Sequence, residues 1–151
     1  MKIGSVYVKD PRGGYVSADR ARARRGCGFG EAPPEKPGRE LSFASAEVLE
    51  EVSGLEGLCV KKFRADLVTE GLDYRALSPG TLLSAGGALF EICSVGKRCF
   101  AECPLEEKPC SLAGGCAFGR VVRDGEVRIG DTLAIVGREG EHGVDKTPPV
   151  R

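Results

Sequence analysis

Glycine and proline interrupt this chain so often that no regular element in it can be long. They number 22 and 9 among 151 residues. Between the interruptions lie short runs rich in β-branched and aliphatic side chains. KIGSVYV at 2–8 is followed by Asp10-Pro11 and Gly13-Gly14. TLLS and ALFEICSV flank Gly86-Gly87, and AFGRVV, EVRI and TLAIV follow towards the C-terminus. Such runs, bounded by turn residues, predict strands. Asp124-Gly125, between RVVR and EVRI, predicts a tight hairpin with positive φ at both central residues. Leu77-Ser78-Pro79-Gly80 and Ile129-Gly130-Asp131 predict two further turns.

Helical signals are fewer. Ser45 is a good N-cap, and Val48, Leu49, Val52 and Leu55 recur at helical spacing, which predicts a helix over 45–55 closed by Gly54 and Gly57. In SADRARARRG, Ser17 predicts the cap of a short helix ended by Gly26. The arginines there, Arg20, Arg22, Arg24 and Arg25, read either as a solvated basic face or as a clamp for a phosphate-bearing ligand. Residues 26–40 hold three prolines and form a long irregular loop. The pattern predicts a mainly β fold, a small barrel or folded sheet with one or two short helices. Residues 1–136 form a single domain, with 137–151 as a polar tail.

Composition excludes several function classes. Basic and acidic residues balance at 22 each, so no global field draws in nucleic acid. Tryptophan is absent and aromatics are scarce, so stacking platforms for single strands are not evident. No run is long and apolar enough to span a membrane. MKIGSVYVKD lacks the apolar core of a secretory signal, which places the expected location in the cytoplasm. There, seven cysteines read as thiols or metal ligands rather than a disulfide framework.

Five of those cysteines crowd one stretch, CSVGKRCFAECPLEEKPCSLAGGC, at 93, 99, 103, 110 and 116. No C-x2-C pair occurs, so the usual zinc knuckle and dithiol redox motif are both missing. A structural zinc site from Cys99, Cys103, Cys110 and Cys116 remains one reading. The other is a reactive thiolate. A free cysteine ionises near about 8.5, and nearby cations lower that value. Lys97, Arg98, Lys108 and Arg120 supply them in sequence. An ionised thiolate is a soft metal ligand and a carrier for persulfide sulfur. Cys110, in a Pro-Cys-Ser turn, is the strongest candidate. Cys93, between Ile92 and Val95, reads as a small apolar core residue.

An ordered series of motifs runs from about 41 to 136. It comprises Lys61-Lys62-Phe63-Arg64-Ala65-Asp66-Leu67, Thr69-Glu70-Gly71-Leu72-Asp73, Leu77-Ser78-Pro79-Gly80-Thr81, Gly96-Lys97-Arg98-Cys99-Phe100, Cys103, Cys110, Phe118-Gly119-Arg120-Val121 and Gly125 to Asp131. The series resembles the MOSC domain family, named for the C-terminal domain of molybdenum cofactor sulfurase, in its short stand-alone bacterial form. The resemblance implies a β-barrel-like fold and a part in binding the molybdenum cofactor or carrying sulfur to it. Cys110 sits where related amidoxime-reducing proteins place their molybdenum-ligating cysteine. Cys99 and Cys103 match other recurrent cysteines of the short members. Arg64, Asp66, Lys97, Arg98 and Arg120 would hold molybdopterin.

Two departures stand out. Asp66 replaces the usual Asn of "F-x-x-N-[IL]", and Glu31 but no histidine occupies the "G-D-x-H" region, since the only histidine is His142. The pyridoxal-phosphate domain of the full sulfurase is missing, so that cofactor is not expected here. A cysteine desulfurase would donate sulfur, and a molybdoenzyme or molybdopterin-handling enzyme would accept it. The resemblance therefore implies a sulfur transferase or carrier in molybdenum cofactor maturation. The alternatives are a molybdenum-dependent oxidoreductase component of the amidoxime-reducing type and a structural zinc module.

Overall fold

The computed structural model describes residues 1–10, 12–30, 33–34, 36–52, 65–96 and 114–138. Its strands are β1 (Lys2–Lys9), β2 (Tyr15–Ala18), β3 (Arg20–Ala23), β4 (Leu41–Ser45), β5 (Leu67–Glu70), β6 (Thr81–Ala85), β7 (Ala88–Val95), β8 (Cys116–Arg123), β9 (Gly125–Arg128) and β10 (Leu133–Arg138). One helix, α1 (Ala46–Val52), follows β4, and a 3-10 turn spans Tyr74–Ala76. Eight strands form one curled sheet in the order β10-β6-β7-β8-β4-β5-β1-β2, and β3 pairs with β9 as a separate ribbon. All pairings are antiparallel except β4 with β5.

The curl brings the start of β1 back to the start of β10. Ile3 N–H donates to the Asp131 carbonyl (2.9 Å), Gly130 N–H to that of Ile3 (2.8 Å), and Leu133 N–H to that of Met1 (2.9 Å). These bonds satisfy backbone groups that an open edge would leave to solvent. The core fills the concavity. Phe43 of β4 lies at its centre, 6.0 Å from the Tyr74 ring and 5.8 Å, edge-on, from Phe90. Tyr74 is fully buried, and its hydroxyl pairs with Thr69 Oγ1 (2.9 Å). β4 is buried on both faces. Leu41 and Phe43 enter the main core, while Ala44 packs with Ala65 and Val68 beneath Leu49 of α1. Ser45 Oγ accepts from Val48 N–H (3.1 Å), so the cap expected for the helix is in place.

Two local expectations are corrected. The segment from Ser17 to Gly26 is not helical but supplies β2 and β3. Arg-Ala-Arg-Ala has a period of two: Ala21 and Ala23 are buried, and Arg20 and Arg22 are exposed. Burying that alanine row against the core outweighs the modest helix preference of arginine and alanine. Asp124-Gly125 does not close a hairpin either. β8 pairs with β7 and β4, while β9 leaves to pair with β3. No non-glycine residue among those described has positive φ. Gly125 is required for another reason, since a Cβ there would lie within 2.3 Å of Gly87 C and 2.5 Å of Ala88 N. It lets β9 cross close over the β6–β7 turn. The Asp124 carboxylate accepts from Arg25 N–H (2.8 Å), which ties the two ribbon ends together.

Candidate functional site

β8 shows two different faces. Ala117 and Val121 point into the main core, whereas Cys116, Phe118 and Arg120 alternate onto the opposite face. Ser42 of β4 pairs with Phe118, and Ala44 with Cys116. One strand further, Ala44 pairs with Val68, so Asp66 stands beside Ser42. A row therefore crosses the sheet as Phe118, Ser42 and Asp66, with Arg120 two residues along β8. The two described residues singled out as cofactor-binding, Asp66 and Arg120, share this face. Two strand spacings and one two-residue step separate them, roughly 10 Å across and 7 Å along.

Each already has a partner. Arg120 Nε donates to Glu91 Oε1 (2.5 Å) directly opposite on β7. The Arg120 side chain is still 42% exposed, while that of Glu91 is 15% exposed. Glu91 thus orients a guanidinium that solvent and ligands can reach. Asp66 is more enclosed. Its Oδ2 accepts from Ser42 N–H (2.8 Å) and Ser42 Oγ (3.0 Å), and Asp66 N–H donates back to Ser42 Oγ (3.0 Å). Burial raises the Asp66 carboxyl above its ordinary range, against the lowering pull of the Ser42 bonds and of Lys9. Burial and then the Asp66 charge raise Tyr15 as well. The chemistry of this pair is that of a staple between β4 and β5. An ionised carboxylate so engaged offers no donor to a pterin and repels its phosphate.

Arg39 lies over the Phe118 ring, its guanidinium carbon 4.0 Å from the centroid, as a cation–π cover for that aromatic. Gly119 must lack a side chain, because a Cβ would fall 2.3 Å from the Glu91 carbonyl and 3.1 Å from Phe43 Cε1. The Phe-Gly-Arg triplet therefore places an aromatic, a close strand contact and an oriented cation in succession. Sequence reasoning missed Glu91 and Ser42 as partners. A lone carboxylate inside the apolar run ALFEICSV was the available signal for Glu91.

The cysteine stretch is the connection between β7 and β8. Gly96 N–H donates to the Cys116 carbonyl (2.6 Å) and closes its base. Cys99, Cys103, Cys110, Arg64, Lys97 and Arg98 lie outside the described residues. Cys27, Cys93 and Cys116 are the cysteines among the described residues. Cys116 is fully buried. Cys93 occupies a β-bulge, half-buried beside the Gly38 backbone, with its Sγ 3.7 Å from the Glu91 carbonyl. Among the described residues no three metal-ligating side chains gather. Nor is any described helix long and apolar enough to cross a membrane.

The sequence matches no family model and no curated protein. The fold does have solved counterparts. YuaD from Bacillus subtilis superposes with a TM-score of 0.59 at 18% identity, over 87% of this chain and 93% of that one. YiiM from Geobacillus stearothermophilus gives 0.56 at 19%, over 93% and 77%. YiiM from Escherichia coli gives 0.57 at 17%, over 91% and 71%. At these identities the likeness carries the fold alone: the chain has the strand architecture of YuaD and YiiM, which are MOSC-domain proteins.

Proposed function

We propose that this chain is a MOSC-type domain that works through Cys110, binding the molybdenum cofactor or carrying persulfide sulfur for its maturation. One observation carries the reading. The sheet similar to that of YuaD and YiiM has its cysteine-rich connection between central strands β7 and β8, with the solvent-accessible Arg120 on the same hairpin. Cys110 precedes Cys116 by six positions, a contour of at most about 20 Å, so chain length permits Cys110 to meet Arg120.

In this reading Lys97 and Arg98 keep the Cys110 thiol ionised. As a carrier, its thiolate attacks the outer sulfur of a desulfurase persulfide. A new S–S bond forms on Cys110, the donor's S–S bond breaks, and the donor leaves as a thiolate. Attack by Cys99 or Cys103 on the Cys110 sulfur then forms a disulfide and releases sulfide. Arg64, Lys97, Arg98 and Arg120 would hold a pterin phosphate through charge-assisted hydrogen bonds. Asp66 would contribute only acceptors there, its Oδ2 already taking two hydrogen bonds from Ser42. The bound cofactor would supply the metal that a thiolate can ligate.

The test is retention of molybdopterin, with sulfur transfer to a molybdoenzyme, by wild type and Cys110→Ala. At least a tenfold loss in the variant is expected in one or both. Equal retention together with equal transfer removes Cys110 from the site. One zinc per chain, with unfolding on chelation, would support the structural zinc module instead.

A further inference from the structure

The β3–β9 ribbon is held by its inner face and open on its outer one. Ala21, Ala23 and Val127 point into the main core. Arg20 and Arg22 alternate outward on β3, paired across the ribbon with Arg128 and Glu126. Residues 20–25 and 123–128 hold six arginines (20, 22, 24, 25, 123, 128) and two acids (124, 126), a local balance of 6 − 2 = +4 in a chain of net zero. Positive charge is therefore concentrated here and offset elsewhere.

Within the ribbon Glu126 is shared. It accepts from Arg128 Nε (2.8 Å), and Arg20 approaches to 4.0 Å. The Arg128 hydrogen bond, and then the charges of Arg128, Arg20 and Arg22, hold its carboxyl below the ordinary range. Arg25 pairs with Asp124 (3.6 Å), while no ion pair is formed by Arg22 or Arg24 among the described residues. At the ribbon's end Ile129 is 45% exposed, its N–H bonded to the Asp19 carbonyl. Exposed arginines beside an exposed aliphatic residue are the composition of a protein-binding patch, where arginine and apolar groups are enriched.

We propose that the outer face of this ribbon, Arg20, Arg22 and Arg128 with Ile129 at its edge, docks an acidic, extended segment of a partner protein. Same-face side chains on a strand repeat at roughly 7 Å, so carboxylates at alternate positions of an extended segment meet Arg20 and Arg22 in register. The central Glu126 favours a protein over a nucleic acid. A phosphodiester chain has no cation to set against it, whereas a protein segment can place a lysine there. This surface is independent of the cysteine chemistry.

The probe is a fluorescent 12-residue peptide of alternating Glu and Thr, titrated by anisotropy at low and at physiological salt. A 12-base-pair DNA duplex is titrated in parallel. Saturable peptide binding that weakens with salt is expected, with at least a tenfold loss in R20E/R22E/R128E and no change in R12E/K36E. Arg22→Ala, which removes no ion pair seen here, is expected to lose about threefold while its melting curve stays unchanged, and it decides the matter if the triple variant misfolds. No peptide binding up to millimolar protein overturns the proposal. So does equal binding by the triple and Arg22→Ala variants, or tighter binding of the duplex than of the peptide.

Discussion

Asp66 shows how one side chain can hold a scaffold and still cost stability. Because burial raises its carboxyl pKa in the folded state, its contribution is fully present below the unfolded pKa and is lost as pH rises through the folded one. Asp66→Asn keeps an acceptor for Ser42 and removes the buried charge. It is expected to raise Tm by roughly 1–3 °C at pH 7, and by less as pH falls towards 4. Parallel thermal melts across that range check it, and a drop at pH 7 would mean that the Ser42 bonds outweigh burial. Tyr74→Phe tests the opposite case. It leaves the Thr69 hydroxyl buried without its partner and should cost about 1–3 kcal/mol in denaturant unfolding, most of it recovered by adding Thr69→Val.

At the scale of elements, close crossings matter more than turn chemistry. Gly125→Ala drives a methyl group into the Gly87–Ala88 backbone and should cost about 2 kcal/mol or more, whereas Gly114→Ala meets open space and should stay within about 0.5 kcal/mol. Urea midpoints compare the two. This contrast also explains what the sequence could reveal. The helix after Ser45 was legible because its cap and apolar period are local. β3 was not, because arginine and alanine favour a helix until Ala21 and Ala23 find a core made by residues far away in sequence. Asp124-Gly125 reads as a hairpin only if its flanking strands pair, and their partners lie on β3, β4 and β7. Within the site, the cysteine–cation cluster could be seen by eye. The partners of Asp66 and Arg120 could not, since Ser42 lies 24 residues from Asp66 and Glu91 lies 29 from Arg120.

For the whole molecule, the sheet is closed by Met1–Ile3 meeting Gly130–Leu133, and Ile3 adds a fully buried side chain there. Ile3→Ala is expected to cost about 2–5 kcal/mol and lower Tm by roughly 6 °C or more, with increased aggregation as the edges part. In the proposed function, closure would help hold the β7–β8 pair, and with it the base of the cysteine connection, in the wall of the sheet. The central claim is that Cys110 is the sulfur-handling thiol. Its most direct test is mass spectrometry of anaerobic protein incubated with a cysteine desulfurase and cysteine. The account predicts a gain of about 32 Da, one sulfur atom, on the peptide containing Cys110, reversed by dithiothreitol and missing in Cys110→Ala. Unmodified Cys110 under those conditions, with no molybdopterin retained by the wild-type protein, would contradict it.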